Sequence, residues 1–518
     1  MIALAAQHDA PLRGEALTGG RPEDRYRRAL IDAAHPSGWR NPTPPDTYNL
    51  VVIGAGPGGL TAAREAAALG AKVALIERNL LGGGRLNVGC VPSKALIRTA
   101  RLYAEMRDAE NVGGQVPGSI GIDFATVTQR MRRVQARLGR ADSAERLTEA
   151  GIDVYFGEAR FASSDTVAVG GVMLHFQKAI IATGARPLIP TIPGISACGF
   201  LTNENVFELT ECPQRLLVMG GGPLGCEMAQ AFCRFGAHVI IAQDEPMFLP
   251  REERDAAQIL ADCLARDGVE VHLNTAVVGV RIEGARKIVD LDSGGETFTV
   301  SVDQIASGIG RAPNVEGLAL EAAGVGYDTA SGIGVDDFLR TSNPRIYAAG
   351  DVCLEYKFTH AAVASARIAV RNALFPSGKR WSGLTIPWCT YSDPEIAHVG
   401  LYVREAQQKG IPVRTFTVLM HDVDRAVTDG EEDGFVKIHV RQGTDRILGA
   451  TVVARHAGEM INGLSLAISS GIGLRALARV VHTYPTQAEA IKMVADAYNR
   501  TRLTPTLRSL SRRWLARS

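Results

Sequence analysis

Two glycine-rich segments, at 54–59 and 220–225, have the spacing of a backbone cradle for phosphate groups. The first glycine of such a segment permits a tight turn, and the second lets the backbone approach a pyrophosphate. Unpaired N–H groups and the dipole at the start of the following helix favour negative charge there. The sequence therefore predicts two nucleotide sites. The glycines that define them are Gly54, Gly56 and Gly59 in the first segment and Gly220, Gly222 and Gly225 in the second.

The residue that lies 23 positions after the first glycine differs between the two segments. In the first it is Glu77, whose carboxylate is suited to accept hydrogen bonds from a ribose hydroxyl. In the second it is Gln243. A glutamate there would favour NAD, whereas a nearby arginine would favour NADP by binding its 2′-phosphate. Gln243 decides neither, and Arg251 is the nearest basic residue, so the nucleotide preference stays open.

Each glycine segment lies between two apolar runs typical of strands and begins a helical pattern, as in a β-α-β unit. The two units form a distant internal repeat. After Pro387 the pattern changes to alternating strands and two longer helices, which indicates a separate α+β domain. The predicted strands are 48–53, 72–76, 215–219, 238–242, 435–440 and 447–453, and the predicted helices are 60–69, 226–234, 458–469 and 487–500.

The two ends of the chain differ in character from the rest. Residues 1–46 are rich in Pro, Arg and Gly and are interpreted as an extension with a short helix at 22–34, or equally as a flexible tail. Residues 501–518 place leucines and Trp514 against several arginines. Such a basic amphipathic helix can lie on a membrane surface, although docking on its own protein or fraying is the simpler interpretation.

Composition and charge exclude several classes of function. The net charge is +1 with no basic block, so nothing points to nucleic acid. No apolar stretch is long enough to span a membrane. The eight cysteines are scattered, without a CxxC pair or a Cys/His cluster, which predicts no metal site and a reduced, cytoplasmic protein.

Further motifs resemble those of the class I pyridine nucleotide-disulfide oxidoreductases, a family that includes glutathione reductase, dihydrolipoamide dehydrogenase and mercuric reductase. The similarity covers 48–500 and is strongest to the mercuric reductase-like branch. The motifs that carry it are Gly82-Gly83, Asn87-Val88-Gly89-Cys90-Val91-Pro92-Ser93-Lys94, Ala182-Thr183-Gly184, Gly310-Arg311-Ala312-Pro313-Asn314, Tyr347-Ala348-Ala349-Gly350-Asp351-Val352, Pro394-Glu395-Ile396-Ala397 and Pro485-Thr486.

The resemblance implies an α/β fold with two Rossmann-like dinucleotide-binding domains, for FAD and for NAD(P), and a C-terminal α+β dimerisation domain. It also implies a homodimer whose active sites take residues from both subunits. The expected boundaries are 1–46 for the extension, 47–195 and 311–383 for the FAD and central parts, 196–310 for the NAD(P) domain, 384–500 for the dimerisation domain and 501–518 for the tail.

The resemblance also implies roles for individual residues. Glu77 would hold the FAD ribose, and Lys94 and Glu227 would form an ion pair beside the flavin. The last two residues also have a simpler interpretation, as a surface lysine and a glutamate inside a helix. Asp351 follows a predicted strand, where it would accept bonds from ligand hydroxyls or cap the next helix. The other positions expected at the cofactors are Gly83, Thr183, Gly184 and Gly310.

The sequence departs from the family pattern at two places. Arg85 stands where the first of two redox cysteines is expected, five residues before Cys90, so no redox disulfide can form there. In the C-terminal domain Tyr484 stands where the acid–base histidine is expected, five residues before Glu489, and His482 lies two residues earlier. An unperturbed tyrosine has a pKa near ~10, against ~6.5 for histidine, and is a poor proton shuttle at neutral pH.

Both departures affect chemistry on disulfide substrates, whereas the flavin and nicotinamide positions are intact. The sequence therefore predicts an oxidoreductase that passes hydride from NAD(P)H to FAD and then to a small-molecule acceptor. The alternative is a catalytically degenerate FAD- and NAD(P)-binding redox sensor that acts through a partner.

Overall fold

The computed structural model describes residues 25–118 and 120–516. Up to residue 187 the chain builds a mixed sheet that has helices packed on one face and antiparallel strands on the other. Its elements are α1 (Arg25–Ala34), β1 (Tyr48–Ile53), α2 (Pro57–Ala68), β2 (Val73–Glu77), α3 (Gly83–Asn87), α4 (Cys90–Asp108), α5 (Phe124–Gly139), α6 (Ala144–Glu149), β3 (Ile152–Phe156), β4 (Arg160–Ser163), β5 (Thr166–Val169), β6 (Val172–Ile181) and β7 (Ala185–Pro187).

The next stretch builds a second, smaller parallel sheet and a three-stranded antiparallel meander. Its elements are α7 (Ile195–Cys198), β8 (Arg215–Met219), α8 (Pro223–Arg234), β9 (His238–Ala242), α9 (Arg254–Asp267), β10 (Glu270–His272), β11 (Thr275–Glu283), β12 (Arg286–Ser293), β13 (Glu296–Val302), β14 (Gln304–Ser307) and β15 (Arg311–Pro313).

The chain then returns to the first sheet and continues into the C-terminal domain. The remaining elements are β16 (Tyr327–Asp328), β17 (Gly332–Ile333), β18 (Ile346–Ala348), α10 (Thr359–Leu374), β19 (Pro387–Thr390), β20 (Glu395–Gly400), α11 (Val403–Gln408), β21 (Val413–Leu419), α12 (Asp424–Asp429), β22 (Phe435–Arg441), β23 (Ile447–Ala454), α13 (Ala457–Ser469), α14 (Leu474–Leu477), α15 (Glu489–Thr501) and α16 (Pro505–Leu515).

The first sheet has the order β3-β2-β1-β6-β5-β4, and β18 also pairs with β6. Strands β3, β2, β1, β6 and β18 run parallel to their neighbours. Because both faces of such a sheet are covered, its strands are almost continuously apolar, and five of the six residues of β1 are buried. The pairing of β18 with β6 brings residues 346–351 back beside the first glycine turn.

The second sheet has the parallel order β10-β9-β8-β14, and the C-terminal sheet has the order β19-β20-β23-β22-β21, all antiparallel. Helices α13 and α15 supply buried side chains to the core of that last domain. The predicted α/β class, with two Rossmann-like units and a C-terminal α+β domain, is confirmed. Within the described ranges no helix is long and apolar enough to cross a membrane.

Helix starts differ from the prediction by about one turn. Helix α2 begins at Pro57 and α8 at Pro223, three residues earlier than predicted in each case. Both prolines occupy the first helical turn, where their missing N–H costs no hydrogen bond. The glycine segments therefore already contain the helix N-termini, so the backbone N–H groups next to the turns belong to the helices.

The described part of the N-terminal extension is docked on edge strand β3. The Asn41 side chain accepts a hydrogen bond from the N–H of Phe156 (2.8 Å) and donates one to its carbonyl oxygen (2.9 Å). Trp39 donates its indole N–H to the Val154 carbonyl oxygen, and the His35 ring stacks on Phe156 with centroids 3.9 Å apart. The flexible-tail interpretation is therefore wrong for 25–46, while residues 1–24 lie outside the described residues.

Candidate active site

The first glycine turn lies between β1 and α2 and has geometry that only glycine tolerates. Gly54 has φ +97° and donates its N–H to the Ile76 carbonyl oxygen (2.8 Å). A Cβ on Gly59 would stand 1.7 Å from the Gly54 carbonyl oxygen, so helix and strand approach too closely for any side chain. A Cβ on Gly56 would meet nothing nearer than 3.9 Å. The turn therefore has open space at its second glycine.

The second glycine turn, between β8 and α8, repeats these features. Gly220 has φ +96° and donates its N–H to the Ala242 carbonyl oxygen (2.8 Å). A Cβ on Gly225 would stand 2.1 Å from the Gly220 carbonyl oxygen, and one on Gly222 would again meet nothing nearer than 3.9 Å. Two turns of one design, each at a helix N-terminus, fit two pyrophosphate groups.

Glu77 and Gln243 occupy equivalent places at the ends of β2 and β9. The Glu77 carboxylate accepts hydrogen bonds from the N–H groups of Ala55 (2.8 Å) and Asn79 (2.9 Å). Burial raises the pKa of Glu77, and these two N–H groups oppose that shift. The Gln243 side-chain oxygen accepts a hydrogen bond from the Gly221 N–H (2.6 Å). Both side chains therefore brace the glycine turn of their own unit.

Lys94 and Glu227 form an ion pair that joins α4 of the first unit to α8 of the second. The Lys94 ammonium lies 2.9 and 3.1 Å from the two Glu227 carboxylate oxygens. Glu227 is only 4% exposed and also accepts the N–H of Tyr391 (2.9 Å). Burial lowers the pKa of Lys94, but Glu227 more than offsets this, so the net shift is upward. The Lys94 ammonium also lies 4.5 Å from the centre of the Tyr391 ring.

Cys90 is the first residue of α4, one turn before Lys94, and it is exposed. Its Sγ lies 3.5 Å from the hydroxyl oxygen of Thr359, the first residue of α10. All eight cysteines fall within the described residues, and each is a free thiol. Cys90 therefore lies where two helix N-termini and the Lys94–Glu227 pair meet.

The Arg85 guanidinium binds a carboxylate rather than the thiol. Its Nη2 lies 2.5 Å from one Asp142 oxygen, and Arg64 lies 2.9 Å from the other. Asp142 is buried. Arg85 therefore ties the segment before Cys90 to the connection between α5 and α6.

Three further motif segments, at 182–184, 310–314 and 347–352, contact one another beside the first glycine turn. Thr183 donates its hydroxyl to the Asn314 carbonyl oxygen (2.7 Å), and the Asn314 amide donates to the Thr183 carbonyl oxygen (2.9 Å). Asp351 pairs with Arg311 at 2.6 Å. The helix-cap interpretation of Asp351 is wrong, because the short 3-10 helix Gly350–Val352 has no side-chain cap and α10 begins after Phe358.

Three further motif glycines have the left-handed conformation that disfavours other residues. Gly184 has φ +72° and Gly310 has φ +129°. Gly83 has φ +56°, and a Cβ there would stand 2.5 Å from the Gly56 Cα. Gly83 therefore lets α3 pack directly against the first glycine turn.

His482, Tyr484 and Glu489 lie together on the C-terminal domain, just before and at the start of α15. The Tyr484 hydroxyl donates to the Asp424 carboxylate (2.8 Å), and this bond raises the pKa of Tyr484. Tyr484 is 65% exposed. His482 contacts only the Val480 carbonyl oxygen, at 3.3 Å, among the polar contacts of the described residues. Within one chain none of these described contacts joins the three residues to Cys90.

Sequence reasoning missed Tyr391, Asp142 and Thr359 as neighbours of the site. Tyr391 lies three residues before the Pro394 motif, which was the only signal for it. Thr359 and Asp142 belong to no motif, and they reach Cys90 and Arg85 across 269 and 57 residues of chain.

Comparison with known proteins gives consistent matches over most of the chain. Residues 48–366 match the pyridine nucleotide-disulphide oxidoreductase model, and residues 386–495 match the dimerisation domain of the same family. Mercuric reductase from Lysinibacillus sphaericus is 32% identical over 455 residues, which cover 88% of this chain and 83% of that protein. Dihydrolipoyl dehydrogenase from Geobacillus stearothermophilus is 34% identical over 453 residues, covering 86% and 95%.

A solved structure extends this similarity to three dimensions. The HOCl-induced flavoprotein disulfide reductase RclA from Escherichia coli matches with a TM-score of 0.77 and 28% identity, over 87% of this chain and 99% of that one.

Proposed function

Because this chain belongs to the pyridine nucleotide-disulphide oxidoreductase family, we propose that it passes electrons from NAD(P)H through FAD to a small acceptor without a redox disulfide. It is an FAD-dependent NAD(P)H oxidoreductase, since members of the family are FAD flavoproteins that use NAD(P)H. The finer part of the proposal concerns the acceptor and the route of the electrons. The observation that carries it is Arg85, a residue that cannot form a disulfide with Cys90.

The assignment of the cofactors follows the two glycine turns. FAD would lie with its pyrophosphate at the N-terminus of α2, its ribose at Glu77, and its remaining parts along Thr183, Gly184 and Asp351. NAD(P)H would lie at the N-terminus of α8. When bound there, FAD would supply the chemistry of hydride acceptance. This assignment makes 47–195 and 311–383 the FAD and central parts, 196–310 the NAD(P) domain and 384–500 the dimerisation domain of a cytoplasmic homodimer.

Lys94 and Glu227 contribute a fixed charge pair between the two nucleotide units. Since the pKa of Lys94 is raised, its ammonium stays protonated throughout the neutral range. The buried Glu227 carboxylate holds that ammonium and the Tyr391 backbone in one geometry. The two residues therefore orient helix α4, which begins at Cys90, against helix α8, which begins at the second glycine turn.

The residue at the acid–base position, Tyr484, favours electron acceptors whose reduction needs no proton transfer to or from a pair of thiols. The Tyr484 hydroxyl donates a hydrogen bond to Asp424, and its raised pKa keeps the phenol protonated at neutral pH. The phenol is thus a poor base. We therefore propose a quinone, dioxygen or an oxidised metal ion as acceptor, each taking electrons directly from the reduced cofactor.

The test uses the purified holoprotein in anaerobic mixing with NADH or NADPH, followed by a quinone dye. We expect rapid bleaching of the flavin absorbance by the nucleotide and rapid return with the dye. No turnover is expected with oxidised glutathione or oxidised lipoamide. The matched variant Arg85→Lys, which keeps the cation beside Asp142, should behave as the wild type in all these assays.

Two outcomes would contradict the proposal. Turnover with a disulfide substrate at rates comparable to the dye would mean that the electrons leave through a thiol. Flavin that is reduced but not reoxidised by any of the acceptors would favour the alternative, a redox sensor that acts through a partner.

A further inference from the structure

Helix α16 presents large apolar side chains to solvent. Thr504 caps its N-terminus by accepting the Leu507 N–H (3.2 Å), and Pro505 occupies the first turn, so the sequence specifies a helix start here. Every residue of α16 is exposed. Leu507, Leu510 and Trp514 are 49%, 56% and 76% exposed. Docking on the chain's own surface, the simpler interpretation of the tail, is therefore not supported by any burial.

The apolar and basic residues of α16 lie on different faces. Leu507, Leu510 and Trp514 are spaced by three and four residues, so they form one stripe along the helix. At roughly 100° per residue, Arg508 and Arg513 lie on opposite sides of the helix, about 125° and 95° from the centre of that stripe. Long arginine side chains in such positions can extend their charge away from an apolar surface while their stems remain on it.

The charge of this segment differs from that of the rest of the chain. The tail, residues 501–518, contains five arginines and no acidic residue, whereas the whole chain has 56 basic and 55 acidic side chains. The remaining chain is therefore net acidic. The tail is a compact cationic surface with an apolar stripe, and it complements a surface that is both anionic and apolar.

We propose that α16 docks in the headgroup region of an anionic lipid bilayer, with Leu507, Leu510 and Trp514 inserted and the arginines at the phosphates. Basic amphipathic helices bind such surfaces by combining apolar burial with attraction to anionic lipid. The helix has 11 residues, too few to span a bilayer. A second copy of the chain is the less favourable occupant, because a two-fold pairing of this face would bring two sets of arginines together.

This docking is independent of the proposed electron transfer, because it uses none of the cofactor-binding residues. Membrane docking would nevertheless affect which electron acceptors the protein can reach. A quinone dissolved in the bilayer would be close to a protein held at its surface. Loss of membrane binding would leave the reaction with a soluble dye unchanged, so the two proposals fail separately.

The test is co-sedimentation of the full-length holoprotein with vesicles of phosphatidylcholine alone or mixed with phosphatidylglycerol. We expect binding to the mixed vesicles only, and weaker binding as ionic strength rises. Leu510→Ser/Trp514→Ser removes two of the three residues of the apolar stripe, and Arg508→Gln/Arg513→Gln removes two of the positive charges. Each should weaken binding roughly tenfold or more. Ser509→Gln, which lies away from the stripe and changes no charge, is the matched control and should bind as the wild type.

Folding is checked in every variant by flavin content, which an exposed helix should not alter. Equal binding to both kinds of vesicle, no binding to either, or wild-type binding by the two double variants would each overturn the proposal. It would also be overturned if the apolar double variant converted a wild-type dimer to a monomer in the absence of lipid, since a second copy would then be the occupant.

Discussion

At the scale of single residues, Glu77 and Gln243 show how one position serves two nucleotide units. Both accept an N–H from the glycine turn that precedes them, so both stabilise the turn in the same way. The two side chains differ in the hydrogen bonds that they can still form with a ligand. A carboxylate can only accept hydrogen bonds, whereas an amide also offers an NH₂ donor. Position 243 is therefore compatible with a ribose hydroxyl without carrying a charge.

The residues around Gln243 favour NADH over NADPH. The exposed Asp244 and Glu245 follow directly, and both would repel a 2′-phosphate. Arg251, the nearest basic residue, lies eight positions further along the chain than Gln243. We therefore expect kcat/KM for NADH to exceed that for NADPH by roughly tenfold or more, equivalent to about 1.4 kcal/mol.

Replacing one acid tests this preference. Asp244→Arg should raise kcat/KM for NADPH and leave that for NADH within a few fold, as measured by steady-state reduction of a quinone dye. The control is Glu296→Arg, which changes the same charge at an exposed position on β13. A wild type that prefers NADPH, or an equal effect of both variants, would show that these acids do not face the nucleotide.

At the scale of elements, the N-terminal extension protects an edge of the first sheet. Strand β3 is the outer strand beside β2, and an unpaired edge offers its backbone groups to other chains. Asn41 satisfies both backbone groups of Phe156, and Trp39 satisfies the carbonyl of Val154. Asn41→Ala should lower the free energy of unfolding by about 1–3 kcal/mol, because two backbone groups lose their partners. Chemical denaturation of the holoprotein measures this difference.

The control for that substitution is Thr47→Ala. Thr47 is exposed, and among the described residues its hydroxyl bonds only to the carbonyl of its neighbour Asp46, so its loss should change stability by less than about 0.5 kcal/mol. If Asn41→Ala were equally mild, water would replace the amide without cost and the extension would contribute nothing to the sheet through this residue.

The elements were predictable wherever the signal is local. Glycine spacing and apolar runs determine where β1 and α2 lie, because a tight turn and a helix start depend on neighbouring residues. The docking of the extension was not predictable, since Asn41 reaches Phe156 across 115 residues. The same holds for Tyr391, whose backbone binds Glu227 across 164 residues. Contacts of this kind depend on how the domains pack, and no spacing within the sequence encodes them.

At the scale of the whole molecule, the C-terminal domain contains two ionisable groups, His398 and Glu395, whose pKa values shift in opposite directions. Burial lowers the pKa of His398 to about 3, so folding favours its neutral form. Burial raises the pKa of Glu395 to about 7, against the Gly458 N–H and Arg101, and Asp393 adds to the increase. The stability that depends on His398 is lost as pH falls below 6.5, whereas Glu395 acts in the opposite sense.

The contribution of Glu395 is separable by substitution. Its folded pKa of about 7 lies above the ordinary value of 4.5, so between these values the folded state binds more protons than the unfolded state. The free energy of unfolding that depends on Glu395 is therefore fully present below pH 4.5 and decreases as pH rises to about 7.

Glu395→Gln keeps an acceptor for the Gly458 N–H but cannot ionise. Its stability relative to the wild type should increase steadily from pH 4.5 to 7 and then level off. Because the two proteins share every other titrating group, His398 included, the difference isolates this carboxyl. The measurement is urea denaturation of both holoproteins across that range, with Glu296→Gln as an exposed-acid control that should give no slope. A difference that does not vary with pH would mean that Glu395 is ionised in the folded protein throughout, with water or a partner subunit stabilising its charge.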